Sequence, residues 1–125
     1  MLEVYTLNAT AAAGASFPLA SVSLQKGASA LLVGAGSIQL NKCGVYMVAV
    51  DASSTANTTI QLAKNGVLQP QAQSVGTSPS FVTLVQVPNN NTNCCCSEPT
   101  VITIVNPTTA EETETNLHVV VTKVC

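Results

Sequence analysis

The chain has 125 residues, of which 46% are hydrophobic, 8% are charged and 3% are aromatic. The net charge is −2 and arginine is absent, which argues against a nucleic-acid partner, because phosphate-binding surfaces are built from arginine and clustered lysine. No apolar run reaches membrane-spanning length and no signal-peptide pattern opens the chain, so neither a membrane partner nor export is expected. The length suits one domain, residues 1–125, and the low charge indicates an exterior partly covered in an oligomer.

Short β-branched segments separated by glycine, proline and asparagine predict an all-β domain. The expected strands, in chain order, span residues 2–7, 17–24, 31–33, 37–40, 45–50, 58–64, 67–72, 80–87, 100–106 and 116–124. The segments between them, including 8–16, 89–99 and 108–115, are expected to be loops. Nine or ten strands at this spacing are typical of a sandwich or jelly roll.

The segment 45–50 is the best candidate for the central strand, because it is almost wholly apolar and is preceded by a polar turn. Asn65-Gly66 predicts a type I′ hairpin turn, since both of its central residues need a positive φ. We expect eight residues of the apolar strands to form the core or an interface between subunits: Val45, Tyr46, Val48, Val50, Phe81, Leu84, Val119 and Val121.

The run Leu40-Asn-Lys-Cys-Gly-Val-Tyr-Met-Val48 resembles the signature of the C1q/TNF-like superfamily, in which an extended strand begins with Gly-hydrophobic-Tyr after a polar turn. Ile60-Gln-Leu-Ala-Lys-Asn-Gly66 and the terminal Leu117-His-Val-Val-Val121 agree with that order. The chain is similar in particular to the bacterial and phage branch, including head domains of collagen-like exosporium proteins and small phage structural proteins of gut Firmicutes. The resemblance implies a compact homotrimer of ten-stranded jelly rolls.

Five cysteines are the most reactive feature of the sequence. The strand order of the superfamily implies that Cys43 and Cys125 lie side by side, with Cys94, Cys95 and Cys96 at the same end. Three alternatives stay open: free thiols with Cys43 buried as a small hydrophobe, a Cys43–Cys125 disulfide, or a metal or inter-subunit disulfide cluster of the Cys94–Cys96 loops on a threefold axis. Consecutive cysteines chelate poorly within one chain, which is why the cluster would need three copies.

No catalytic constellation is evident, so we expect neither an enzyme nor a cofactor, and no metal site within one chain. His118 is the only histidine, and a histidine inside a strand is more often packed or solvent-facing than functional. Glu111, Glu112 and Glu114 could bind calcium with carbonyl oxygens, but a solvated loop is the simpler interpretation.

Our functional hypothesis is a trimeric virion protein, made in the bacterial cytoplasm and displayed outside a phage particle as a capsid decoration or head-fibre component. Its partners would be itself and a capsid or other virion protein. The alternative is a binding module whose loops 52–57, 76–80 and 108–115 recognise a host surface glycan or protein; both roles can coexist. A spore-surface head domain is a third hypothesis, which predicts a collagen-like stalk, and no such stalk precedes the domain in this sequence.

Overall fold

The computed structural model describes residues 1–87 and 95–124, and for residues 95–99 it describes the backbone alone. Ten strands account for most of this part of the chain: β1 (Leu2–Ala11), β2 (Ser21–Gln25), β3 (Ala30–Val33), β4 (Ser37–Lys42), β5 (Gly44–Ser53), β6 (Thr58–Lys64), β7 (Val67–Gly76), β8 (Ser80–Val87), β9 (Cys95–Val105) and β10 (Glu112–Lys123). The described residues form no helix that is long and apolar enough to cross a membrane.

The strands form two five-stranded sheets, with the orders β2-β1-β10-β5-β8 and β3-β4-β9-β6-β7. Every paired neighbour is antiparallel. The predicted all-β sandwich is therefore confirmed. β5 is an interior strand, paired with β10 and β8, but the middle strand of the first sheet is β10, so the prediction that segment 45–50 is the central strand is wrong.

The core lies between the two sheets and follows the period-two alternation of their strands. On β5, Tyr46, Val48 and Val50 point inward and are at most 3% exposed. On the neighbouring strand β10, the enclosed residues are Leu117, Val119 and Val121, and on β6 and β9 of the facing sheet they are Ile60, Leu62, Ile102 and Ile104. Each aliphatic side chain buried in this way stabilises the fold by about 1.5–3 kcal/mol, before the loss of conformational entropy.

Two tight turns hold strands in place through backbone conformations that suit their residues. Asn65 and Gly66 have φ values of 51° and 81°, which confirms the predicted hairpin turn between β6 and β7. The side chain of Asn65 also accepts a hydrogen bond from the Val101 amide at 2.8 Å, which ties the turn to β9. At Gly36 φ is 144°, and an added Cβ would lie 2.6 Å from the carbonyl oxygen of Phe17, so only glycine fits.

Several predicted boundaries are wrong, mostly because long-range pairing extends the strands into polar or small-residue segments. β1 continues through 8–11 and β10 begins at Glu112, because these two stretches pair with each other from Ala11↔Glu112 onward. β9 begins at Cys95 instead of Thr100, and the rest of the predicted loop 89–94 lies outside the described residues. In the segment 17–24, only the part from Ser21 joins a strand.

Asn106, which follows β9, connects three segments at one end of the sandwich. Its side chain is 0% exposed, and its amide nitrogen donates to the carbonyls of Ala110 at 2.7 Å and Ala11 at 3.1 Å. Its Oδ1 accepts from the Thr108 amide at 3.0 Å and from the Thr108 hydroxyl at 2.6 Å. Because buried backbone groups must be paired, this one side chain keeps the end of β1 and the start of β10 together.

We predict that Asn106→Ala lowers the free energy of unfolding by about 3–5 kcal/mol, because it leaves several buried polar groups without partners. The measurement is urea unfolding at one fixed protein concentration. Asn57→Ala is the matched control: Asn57 is exposed, so its loss should change stability by less than about 0.5 kcal/mol. Equal stability of the two variants would contradict the role assigned to Asn106.

Candidate functional site: the outward face of the first sheet

An apolar patch crosses β10, β5 and β8 on the side of the first sheet that faces away from the core. Val120 lies opposite Ala49, and Ala49 lies opposite Val82, so these three side chains form one row across the sheet. Met47 and Leu84 form the next row. We call these five residues the apolar patch; Val82 is 65% exposed and Leu84 is 61% exposed.

Further exposed hydrophobic side chains lie on the same face beyond the polar residues Glu3 and His118. Tyr5 and Leu7 of β1 are exposed there, because they alternate with the buried residues Val4 and Thr6. Monomeric soluble proteins rarely expose a large contiguous apolar surface without using it to bind something. The face is therefore the strongest candidate for a functional surface in the described part of the chain.

His118 stands beside the patch, between two carboxylates from neighbouring strands. Its Nε2 lies 3.4 Å from Oε2 of Glu3 on β1, and its Nδ1 lies 3.3 Å from Oδ1 of Asp51 on β5. The strand register explains the arrangement. His118 lies directly opposite Asp51 on β5. Glu3 on β1 lies opposite Val120, which is the next outward-facing residue after His118 on β10. A neutral imidazole has one N–H and can donate to one carboxylate only, whereas an imidazolium can donate to both.

Glu3 has a further partner, the hydroxyl of Ser23 on β2, which donates to its Oε1 at 2.6 Å. This hydrogen bond, together with the neighbouring His118, holds the pKa of Glu3 below its ordinary value of 4.5 although partial desolvation opposes it. Glu3 is therefore a carboxylate at neutral pH. The sequence showed His118 as a lone histidine, and only the pairing of β1, β10 and β5 reveals its two carboxylate neighbours.

The eight residues expected in the core or at an interface divide between the two faces. Five of them are core residues no more than 3% exposed: Tyr46, Val48, Val50, Val119 and Val121. Phe81 is partly buried and packs against the core. Leu84 belongs to the apolar patch. Val45 is half-buried and points to the same outward face, because it precedes the inward-pointing Tyr46.

Cys43 lies just before β5, is 5% exposed and is disulfide-bonded, so it is not a free thiol. Its partner lies outside the described residues, as do Cys94, Cys125 and the side chains of Cys95 and Cys96. The backbone of Cys95 lies opposite Lys42, and the Val124 amide donates to the Val45 carbonyl at 2.8 Å. The pairing of Cys43 with Cys125 and the threefold cluster of Cys94–Cys96 stay predictions.

At the opposite end of β5, segments 52–57 and 76–80 contact each other as predicted, whereas segment 108–115 meets them through Thr115, which belongs to strand β10 and not to a loop. The amide of Ser54 donates to the carbonyl of Thr77 at 2.8 Å, and the hydroxyl of Thr115 donates to the carbonyl of Ser53 at 2.8 Å. They enclose a depression of about 340 Å³. Its lining is polar and rich in hydroxyls: Asp51, Ala52, Ser53, Ser78, Ser80 and Asn116.

The three glutamates Glu111, Glu112 and Glu114 do not all lie in a solvated loop. Glu111 is exposed, but Glu112 is half-buried and Glu114 is fully buried, because both belong to β10. Among the described residues, no group of three or more His, Cys, Asp or Glu side chains is arranged to hold a metal ion. The sequence could not reveal the burial of Glu114, since it depends on pairing with residues about a hundred positions earlier.

No family model and no curated protein sequence matches the chain. Solved structures do resemble it: murine APRIL at pH 8.0 has a TM-score of 0.66 at 13% sequence identity, covering 98% of this chain and 97% of that one. Rabbit GITRL has a TM-score of 0.55 at 8% identity, covering 100% of this chain and 95% of that one. These likenesses show the fold, which is a ten-stranded jelly-roll sandwich of the C1q/TNF-like type.

Proposed function

We propose that this chain is a non-enzymatic structural protein that assembles into a homotrimer through the outward face of its first sheet. We further propose that the trimer decorates the exterior of a phage particle, bound to a capsid or other virion protein. The observation that carries the proposal is the apolar patch, where outward side chains of three adjacent strands present a continuous hydrophobic surface.

The patch suits a second copy of the same chain better than an unrelated partner. The superfamily that the sequence resembles assembles as homotrimers, and an apolar sheet face is the natural contact for such an assembly. A chain with only 8% charged residues also has little ionic surface to keep it dispersed as a monomer. Burial of Val82, Leu84 and Met47 against neighbouring copies would stabilise the trimer by about 25 cal/mol per Å² of apolar surface.

The assignment to a virion is supported by the resemblance of the sequence to small phage structural proteins and by the chemistry of the surface. The described polar clusters consist of hydroxyl, amide and carboxylate groups, and His118 lies between the carboxylates of Glu3 and Asp51, the first of which also accepts from the Ser23 hydroxyl. Such a surface fits a structural role better than a catalytic one.

We predict that Val82→Asp converts a trimer of 12.8-kDa chains into a monomer, because three carboxylates would then be buried in the interface. Size-exclusion chromatography with light scattering at micromolar concentration measures the mass. The matched control is Val75→Asp: Val75 is 66% exposed, close to the 65% of Val82, but lies on β7 of the second sheet.

The control variant should stay trimeric, and circular dichroism should show that both variants are folded. A monomeric wild-type protein would overturn the trimer, and loss of assembly in Val75→Asp alone would assign the interface to the other sheet.

The virion assignment predicts that the protein is present on intact particles. Particles would be purified from an induced bacterial culture that carries the gene, and labelled with gold-conjugated antibody raised against the recombinant trimer. Gold on the capsid or head fibres, together with peptides of this chain in mass spectra of the particles, is the expected result. A particle preparation with the major capsid protein but without this chain would refute the assignment.

A second candidate function is recognition of a host glycan, and the hydroxyl-rich depression at the loop end is the observation that favours it. Carboxylate, amide and hydroxyl groups such as those of Asp51, Asn116 and Ser80 hydrogen-bond readily to sugar hydroxyls. We predict binding to a host or mucin glycan array that is lost in Asp51→Ala but kept in Val75→Asp. An array without any signal would eliminate this candidate.

A further inference from the structure

A buried carboxylate lies at the start of β10. Glu114 is 0% exposed, and neither of its side-chain oxygens has a partner at hydrogen-bond distance and angle. The Thr58 hydroxyl is near enough to act on this carboxyl, but it donates to the Gly76 carbonyl at 3.4 Å. Oε1 of Glu112, two residues earlier in the same strand, is likewise buried and unpartnered. An unpaired buried carboxylate is strongly destabilising, so folded proteins seldom keep one without a proton, a cation or a donor beside it.

The two glutamates point to the same side of β10 because strand side chains alternate. Oε2 of Glu112 accepts a hydrogen bond from the Thr59 amide at 2.9 Å, so this side chain reaches from the first sheet to β6 of the second. β6 pairs with β9 only from Gln61 onward, which leaves the Thr59 amide open to this contact. The carboxylates are thus located between the sheets, at the end of the sandwich.

In the described part of the chain, the residues shown beside these carboxylates are uncharged. Glu112 and Glu114 lie opposite Ala11 and Ala9 of β1, whose methyl groups cannot donate a hydrogen bond. On the β6 side the neighbours are Thr58 and Thr59. Burial raises the pKa of Glu114 above its ordinary value of 4.5; the Thr58 hydroxyl opposes this shift, and the charge of Glu112 adds to it.

We propose that Glu112 and Glu114 bind one hard divalent cation, for which Ca²⁺ is the probe. The three unpartnered oxygens, both from Glu114 and Oε1 from Glu112, are the ligand type that Ca²⁺ and Mg²⁺ prefer. Two carboxylates balance one divalent charge, and neutral oxygens such as the Thr58 hydroxyl complete the shell. A single proton would leave at least one carboxylate oxygen unmatched.

The first measurement is thermal unfolding in chelator as a function of pH. The folded pKa of Glu114 lies above its unfolded value, so stability falls as pH rises from about 4.5 through the folded pKa. Glu114→Gln does not undergo this loss. In chelator at pH 7 the variant should therefore have a higher Tm than the wild type, and the difference should vanish near pH 4. All samples should have the same concentration, since assembly would also shift Tm.

The second measurement adds CaCl₂ at pH 7. The Tm of the wild-type protein should rise by about 10 °C at a hundredfold excess over the dissociation constant, and calorimetry should show one Ca²⁺ per chain. Glu114→Gln and Glu112→Gln should lose the shift and the binding heat. Glu111→Gln is the matched control, because it removes the same charge from an exposed neighbour and should keep both.

Two results would overturn the proposal. One is a wild-type Tm that neither CaCl₂ nor MgCl₂ changes, with no binding heat, while Glu114→Gln is stabilised in chelator; the pocket would then hold a proton. The other is a Ca²⁺-dependent shift of equal size in Glu114→Gln and the wild type, which would place the cation elsewhere.

Discussion

The alternation of side chains along a strand is the constraint on which the structure depends. Tyr46, Val48 and Val50 fill the core, so the residues between them must face outward whether their side chains are polar or apolar. In β5 those residues include Met47 and Ala49, which are also apolar. A strand of this kind builds the core with one face and leaves apolar side chains on the other, and the outward residues Val120 of β10 and Val82 and Leu84 of β8 continue the pattern.

Polar side chains on the outward face are concentrated at one edge of the apolar patch. The Glu3–His118–Asp51 cluster joins three strands across the first sheet, and Ser23 adds the fourth. Charged hydrogen bonds of this type are directional, whereas apolar contact is not. In the proposed trimer the patch would supply most of the binding energy, and the cluster would help to set the orientation of the copies.

The two ends of the sandwich differ in chemistry. One end carries the disulfide-bonded Cys43 and the backbone of Cys95, held close by the pairing of β4 with β9. The opposite end carries the hydroxyl-rich loops, the Asn106 network and the buried carboxylates. A trimer formed through sheet faces would leave both ends open, so one end could attach to a particle while the other contacts a ligand.

The sequence by itself determined the fold class, the existence of the apolar strand β5 and the Asn65-Gly66 hairpin, because these depend on local periodicity and on turn residues that need a positive φ. It did not show that β10, rather than β5, is the middle strand of the first sheet. It could not determine the start of β10, the burial of Glu114 or the neighbours of His118. Glu114 belongs to a segment whose composition is that of a loop, and it becomes a strand residue only through pairing with Ala9, 105 positions earlier. Tertiary structure decides such cases, since pairing between distant strands overrides local preference and sets which side chains are buried together.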